Sequence, residues 1–459
     1  MNPVIGKSGQ SIHRLEDDRL LKGKGRFIDN LNFKGQAYLH IVRSYSANAK
    51  INIKNSGSVK KMSGVLDVFT GKNLMRDGIL PIPVTLPFKR PGGAPALSEP
   101  YHALTQGTVR FVGQPLAIVV AESREQALQA AECLEVEYEE YPAVTGLLEA
   151  TEPEAPLLCS ELPDNIAAYE TLGNLQDVEE IFSNAHHVTR MELINNRLVG
   201  SPLEPRGLIC YSDPDDGKLI LHASHQSATR LQGFLCSIFK FQPEQLRVIV
   251  GDVGGGFGTK VAIYPEDVLV VYAAKKLNRP IKWTATRTEE FQASVHGRDH
   301  MNVAELACDP EGRIQALSVK TLANTGAYLI NPALFIPLGL MSKVITSVYD
   351  IPAIYLETRC VLTNTAPIGA YRGAGRPEGI YPMERLIDMT AREMGIDPVI
   401  IRRRNLIRTE NLPYTTPAGE IYESGNFKEV LEQTINLMDW DGFGLRKSCL
   451  LYTSDAADE

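Results

Sequence analysis

The sequence predicts a mixed α/β (α+β) protein, on three observations. Residues 114–121, QPLAIVVA, form a short apolar run suited to a buried strand, and Ser123 with Gln126 makes a capping box that opens a helix over 125–133. Residues 134–138 then alternate like a half-buried strand. Residues 246–253, LRVIVGDV, read as a strand running into Gly254, Gly255, Gly256, Phe257 and Gly258, and residues 265–277, PEDVLVVYAAKKL, as a helix closed by Asn278 and Pro280. Strand-like alternation over 188–194, with turn punctuation at DPDDG (213–217) and DPEG (309–312), predicts antiparallel sheet. A further helix over 381–394 sets Met383, Leu386, Ile387, Thr390 and Met394 on one face, with Gly395 as its stop.

Composition narrows the class. At about 100 to 200 residues per domain, the 459 residues can form two to four domains with a sizeable core. Lys and Arg number 47 against 55 Asp and Glu, a net charge of −8 that argues against a phosphate-backbone partner such as nucleic acid. A hydrophobic share of 44% excludes wholesale disorder. Residues 151–162, TEPEAPLLCSEL, suit a surface connection better than core, so domains are expected over 1–150 and 151–448. The seven cysteines form no C-x-x-C pair and read as mostly buried thiols in a reducing compartment. The first residues carry charge from the start and no segment offers 18 uninterrupted apolar residues, so the expected location is the cytoplasm, without a transmembrane segment. Residues 449–459 are expected to be a foreign tail, because the string resembles a translated sequencing-library adaptor.

Three segments could carry chemistry. A triple-glycine loop lets backbone N–H groups turn toward an anion and lets a cofactor approach the main chain, and a following helix N-terminus would add its dipole. The pattern GDVGGGFGTK is neither a P-loop nor a G-x-G-x-x-G fingerprint, and alone it is as well explained by a tight turn. In IGAYRGAGRPE, Arg372 and Arg376 flank a second glycine-rich turn, where two guanidinium forks could hold an oxyanion or bond backbone carbonyls. Gln226, in HASHQSATR, is either a ligand contact or a hairpin residue. Arg402, Arg403 and Arg404 read as an ion-paired or solvated helix end, Glu204 and Arg206 in SPLEPRG as pins of a strand corner, and His186 and His187 as strand residues.

In order and spacing these motifs, with HRLEDDRLLKGKGRFIDN, VGQPLAIVVAES, SPLEPRG, RRRNLI and YESGNF, resemble the molybdopterin-binding large subunit of the xanthine dehydrogenase, aldehyde oxidase and carbon monoxide dehydrogenase family. The resemblance implies an N-terminal a/b hammerhead-like domain followed by the first molybdopterin-binding domain, with the C-terminal half of the cofactor cradle missing. It gives Gln226 a hydrogen bond to an oxo ligand of molybdenum. Gly255, Gly256, Phe257 and Gly258 become the main chain beside metal and pterin, and Ala370, Tyr371 and Arg372 the segment on the cofactor's other side. No side chain is expected to ligate the metal, since the pterin, as molybdopterin or its cytosine dinucleotide form, carries it. The implied reaction is hydroxylation with water as oxygen source, its general-base glutamate lying beyond the residues given. No catalytic residue is therefore expected within this chain, and as written it should be inactive.

Departures from the family's variants bear on substrate. Val261 stands where purine hydroxylases carry a glutamate, and Leu340 near the place of their substrate-orienting arginine. Gly373 replaces the copper-bridging cysteine of aerobic carbon monoxide dehydrogenases, and Ala374 the aromatic residue that stacks on flat substrates. An aldehyde or related carbonyl or heteroaromatic compound is expected, with an N-heterocycle or xanthine-type dehydrogenase as the alternative within the family and a non-catalytic cofactor-binding scaffold outside it. The chain has neither iron–sulfur cysteines nor a flavin motif, so the resemblance implies a [2Fe-2S] small subunit, an FAD-binding medium subunit and, at full length, a dimer of heterotrimers.

Overall fold

The computed structural model describes residues 11–455; the readings made on residues 1–10 and 456–459 lie outside it. Two large mixed sheets carry the molecule. The first has seven strands in the order Leu246–Ile249, Leu219–Ala223, Gly207–Ser212, Ile281–Thr284, Ala37–Arg43, Pro115–Ala121 and Val65–Thr70. Its middle joins distant parts of the chain: Ile281–Thr284 runs parallel to Ala37–Arg43 and antiparallel to Gly207–Ser212. The apolar run near residue 115 is the strand Pro115–Ala121, buried along its whole length because both of its edges are paired and helix Arg124–Glu132 packs on it.

Helix Pro265–Leu277 lies against this sheet and is buried at every residue from Pro265 to Ala274, which is why its apolar pattern shows no amphipathic stripe. The second sheet orders five strands as Ile166–Gly173, Ala353–Leu362, Ile314–Gly326, His300–Cys308 and His187–Asn195. Helix Arg376–Met394 packs on its His187–Asn195 edge through the predicted face, with Met383, Leu386, Ile387 and Thr390 buried.

Several expectations need correction. The strand expected over 246–253 stops at Ile249, so the glycine loop starts from irregular chain. The loop does not feed the helix directly: a 3-10 turn, Thr259–Val261, intervenes, and the first turn of helix Pro265–Leu277 is occupied by its own buried Glu266 and Asp267. That N-terminus is therefore no seat for an anion. The 381–394 helix begins a turn earlier, at Arg376, since Pro377 suits a first helical turn. The segment 151–162 is not all surface: Leu158, Cys159 and Leu162 are buried, because a Pro- and acid-rich stretch can still turn its few apolar side chains inward. Near the end of the described residues lies a helix, Phe443–Asp455.

Candidate functional site

Gln226 leaves the end of strand Leu219–Ala223, just before helix Ala228–Phe239, which Ser227 caps by accepting from the Arg230 N–H. Its main-chain N–H donates to the Lys260 carbonyl at 2.8 Å, and its side-chain Oε1 accepts from the Gly258 N–H at 3.0 Å. The glutamine is thus tied to the glycine loop from both main chain and side chain. The loop in turn touches the arginine segment: the Arg372 N–H donates to the Phe257 carbonyl at 2.8 Å, and the guanidinium stands 6.0 Å from the Phe257 ring centroid. Gln226, Phe257, Arg372 and Gly373 are all exposed, so the junction opens on solvent.

Glycine is required here for two separate reasons. A Cβ on Gly256 would lie 2.6 Å from the Gln226 Cδ, which fixes how closely the glutamine approaches. At Gly258, φ is +95° and a Cβ would stand 3.0 Å from the Ala370 carbonyl oxygen. Phe257 and Ala374 also hold left-handed φ values, +50° and +34°, a strain tolerated only where surroundings impose it. The Gly256, Phe257 and Gly373 amides find no acceptor among the described residues. Amides without an acceptor on both sides of the junction, beside a glutamine and a guanidinium, suit an oxygen-rich, anionic ligand. Among the described residues no three His, Cys, Asp or Glu side chains cluster.

Of the residues read as a substrate pocket, Gly373 and Ala374 follow Arg372 directly, and Leu340 lies on a π-helical turn, Phe335–Met341. A Cβ on Gly375 would be 2.7 Å from the Leu340 Cβ, so Leu340 backs this turn. Val261 ends the 3-10 turn, bonded through its N–H to the Gly258 carbonyl at 3.3 Å.

Beneath the glycine loop lies buried charge. Glu204 accepts the Gly254 N–H at 2.7 Å and the Ser224 hydroxyl at 2.7 Å, and Lys260 Nζ donates to the Glu204 carbonyl at 2.7 Å and its carboxylate at 3.1 Å. One residue therefore staples both ends of the loop. Burial holds the Lys260 pKa below the usual lysine value, although Glu204 opposes it. Deeper, Glu266 takes Arg43 at 2.8 Å and Arg206 at 3.1 Å, and Arg206 also meets Glu290 at 3.1 Å and stacks 3.9 Å from the Tyr264 ring centroid. Burial pushes the Glu266 carboxyl up, but the two guanidiniums outweigh it and leave its pKa lowered. The expectation that Glu204 and Arg206 are structural agrees with this placement. Arg402 pairs with Glu384 and Asp388 and Arg403 with Glu432, and His187, on its strand, contacts Glu393 at 2.9 Å. Five of the seven cysteines are buried, while Cys133 and Cys449 are exposed. Sequence reasoning missed Lys260, and also buried Arg298 and Glu378, because a charged residue in GTK, HGRDH or RPEG reads as surface until its burial is known.

The fold and its junction of two glycine-rich loops beside a glutamine and an arginine place the chain among proteins that the molybdopterin cofactor-binding domain defines. Residues 159–406 match the molybdopterin cofactor-binding domain family, and residues 22–142 the aldehyde oxidase and xanthine dehydrogenase a/b hammerhead domain. The chain belongs to the family of molybdopterin-binding large subunits of xanthine dehydrogenases, aldehyde oxidases and carbon monoxide dehydrogenases. It is 33% identical to the nicotine 6-hydroxylase large subunit of Paenarthrobacter nicotinovorans, over 96% of this chain and 53% of that protein. It is 31% identical to the carbon monoxide dehydrogenase large chain of Hydrogenophaga pseudoflava, over 93% of this chain and 53% of that one. Quinoline 2-oxidoreductase from Pseudomonas putida 86 superposes with a TM-score of 0.89 at 32% identity, covering 96% of this chain and 55% of the other. The chain thus spans about half the length of the curated relatives it matches. No helix among the described residues is long and apolar enough to cross a membrane.

Proposed function

We propose that this chain is part of the large subunit of a cytoplasmic molybdenum hydroxylase that oxidises aldehydes or related carbonyl or heteroaromatic compounds, taking oxygen from water. The observation that carries this reading is the junction itself, where Gln226, the Gly256–Gly258 main chain and Arg372 meet and the Gly256, Phe257 and Gly373 amides have no acceptor among the described residues. The residues fit the group: Gly255, Gly256, Phe257 and Gly258 would lie along molybdopterin or its cytosine dinucleotide form on one side, Ala370, Tyr371 and Arg372 on the other, and Gln226 would donate its amide N–H to an oxygen on the metal. When bound, molybdenum supplies the two-electron redox change. The chain's residues bind and orient the cofactor, and the proton acceptor for the reaction is expected outside residues 1–459. Electrons would pass to [2Fe-2S] and FAD partner subunits, in a dimer of heterotrimers.

A second reading within the family, an N-heterocycle dehydrogenase, is favoured by the nicotine and quinoline enzymes among the relatives. The substrate side offers no charged anchor at Val261, Leu340 or Ala374, which suits a neutral ring or an aldehyde better than a purine. The test is direct binding of isolated molybdopterin to the chain, read by retained molybdenum and pterin fluorescence. Saturable one-to-one binding that Gly256→Val and Arg372→Ala each weaken at least tenfold is expected. Equal binding by wild type and both variants, or none, would remove the reading. Substrate profiling of a complete complex then separates aldehydes from N-heterocycles, and cofactor binding without turnover there would favour the scaffold.

A further inference from the structure

Arg298 sits in the turn between the short strand His296–Gly297 and the long strand His300–Cys308. It is buried, 7% exposed, and both Arg298 and Asp299 hold left-handed φ, +63° and +69°, without a glycine to relieve the strain. The turn is fixed in that form from outside: Asp299 pairs with Arg197 at 2.7 Å and accepts the Asn324 side-chain amide at 2.9 Å. What the strained turn accomplishes is to carry the Arg298 guanidinium under the Arg372 segment. Nη2 donates to the Arg372 carbonyl at 2.6 Å, Nη1 donates to Glu378 Oε1 at 2.7 Å and lies 3.5 Å from the Tyr371 carbonyl, and the guanidinium carbon stands 5.1 Å from the Tyr371 ring centroid.

Glu378, 1% exposed, completes the arrangement by accepting the Gly375 N–H on Oε2 at 2.8 Å. The loop 371–375 is therefore gripped at its carbonyls by the arginine and at its far amide by the glutamate, and the two grips are joined by an ion pair. In a trans peptide the carbonyl and the next residue's N–H point in opposite directions, so the grip on the Arg372 carbonyl turns the Gly373 N–H away from Arg298, and the contact with the Tyr371 carbonyl does the same for the Arg372 N–H, which donates to Phe257.

We propose that Arg298 and Glu378 are the positioning pair of the Arg372 loop, which set the direction of its main-chain donors toward the cofactor and touch no ligand themselves. The inference rests on the reading of the junction as a molybdopterin cradle, but its geometry can be tested without cofactor. A lysine at position 298 keeps the charge opposite Glu378 but offers one nitrogen in place of the planar fork whose two nitrogens separately reach Glu378 and the Arg372 carbonyl. The experiment is residue-resolved amide hydrogen exchange on the 459-residue chain, for wild type, Arg298→Lys, Arg298→Met and Glu378→Gln, with melting midpoints and molybdopterin binding measured alongside.

The expected result is that Arg298→Lys melts close to wild type, yet exchanges the Arg372 amide at least tenfold faster. That amide bonds the Phe257 carbonyl and not residue 298, so its loss of protection reports that the segment has turned from Phe257 rather than the mere loss of a bond to residue 298. Glu378→Gln, whose amide oxygen can still accept from Gly375, should retain more protection at Gly375 than at Arg372. Should Arg298→Met fail to fold, the lysine variant still decides the matter. Unchanged exchange at Arg372 in Arg298→Lys, or lysine restoring stability and protection together, would overturn the proposal. Faster exchange in a chain whose wild type retains no molybdopterin would keep the positioning role and sink the cofactor reading instead. Faster exchange with at least tenfold weaker cofactor binding is the outcome expected if both hold.

Discussion

The loops that meet at Phe257 and the helix Phe427–Met438 near the end of the chain are both exposed, but for opposite reasons. The loops lie over charge that the fold has buried at considerable cost: Glu204 with Lys260, Glu266 with Arg43 and Arg206, Glu378 with Arg298. The helix buries none of its residues, and Val430, Leu437 and Met438 stand 64%, 86% and 65% exposed. Exposure over a buried ionic network makes a rigid surface, because each charge is costly to leave unpaired and so fixes its partners. Exposure of a helix held through little more than Phe427 and Leu431 on the core and a Glu432–Arg403 pair makes a surface that few contacts hold in place. Mutations should therefore be felt very differently in the two regions.

The largest effect is expected at Glu266, 1% exposed and shared by two guanidiniums. Glu266→Ala removes the carboxylate that both cations share, leaving Arg43 to Glu289 and Arg206 to Glu290, and should cost about 3–5 kcal/mol in denaturant unfolding, with Glu266→Gln costing less because it keeps an acceptor. Next comes a pH dependence from Asp267, whose carboxylate accepts the Tyr264 N–H at 2.8 Å and whose pKa burial raises to about 7. The unfolded chain releases this proton near 3.8 while the folded chain keeps it to about 7. The group therefore burdens the folded state increasingly as pH rises from 4 toward 7. Asp267→Asn should raise the unfolding midpoint at pH 8, change it little at pH 4 and flatten the slope between; an unchanged slope would place the titration elsewhere. Smallest is Val430→Ala on the exposed helix, which should shift stability by no more than about 0.5 kcal/mol in the same unfolding measurement.

How much of this was legible in the sequence depends on what each residue answers to. Strand Pro115–Ala121 and helix Pro265–Leu277 declare themselves through local pattern, a buried apolar run and a proline-to-asparagine frame, and both lie where expected. The glycine loop was visible as a need for close approach, and Gly256 against Gln226 shows that approach. What no local pattern carries is partnership across sequence: Arg298 meets Arg372 and Glu378, 74 and 80 residues on, through the packing of the five-stranded sheet and its covering helix. The short strand at Leu246–Ile249 and the 3-10 turn after it were misread for the same reason, since valines beyond Ile249 continue a strand-like pattern that no neighbouring strand is there to pair.

The seating of Ile281–Thr284 between Ala37–Arg43 and Gly207–Ser212 has a consequence for how this chain can be divided. A cut or graft at residues 143–158, between the two family matches, would unzip that ladder on one side and leave raw strand borders on both products. The two halves are like woven cloth rather than beads on a string, and exchanging one for a relative's counterpart should succeed only when the borrowed piece brings a matching border for the other to pair with.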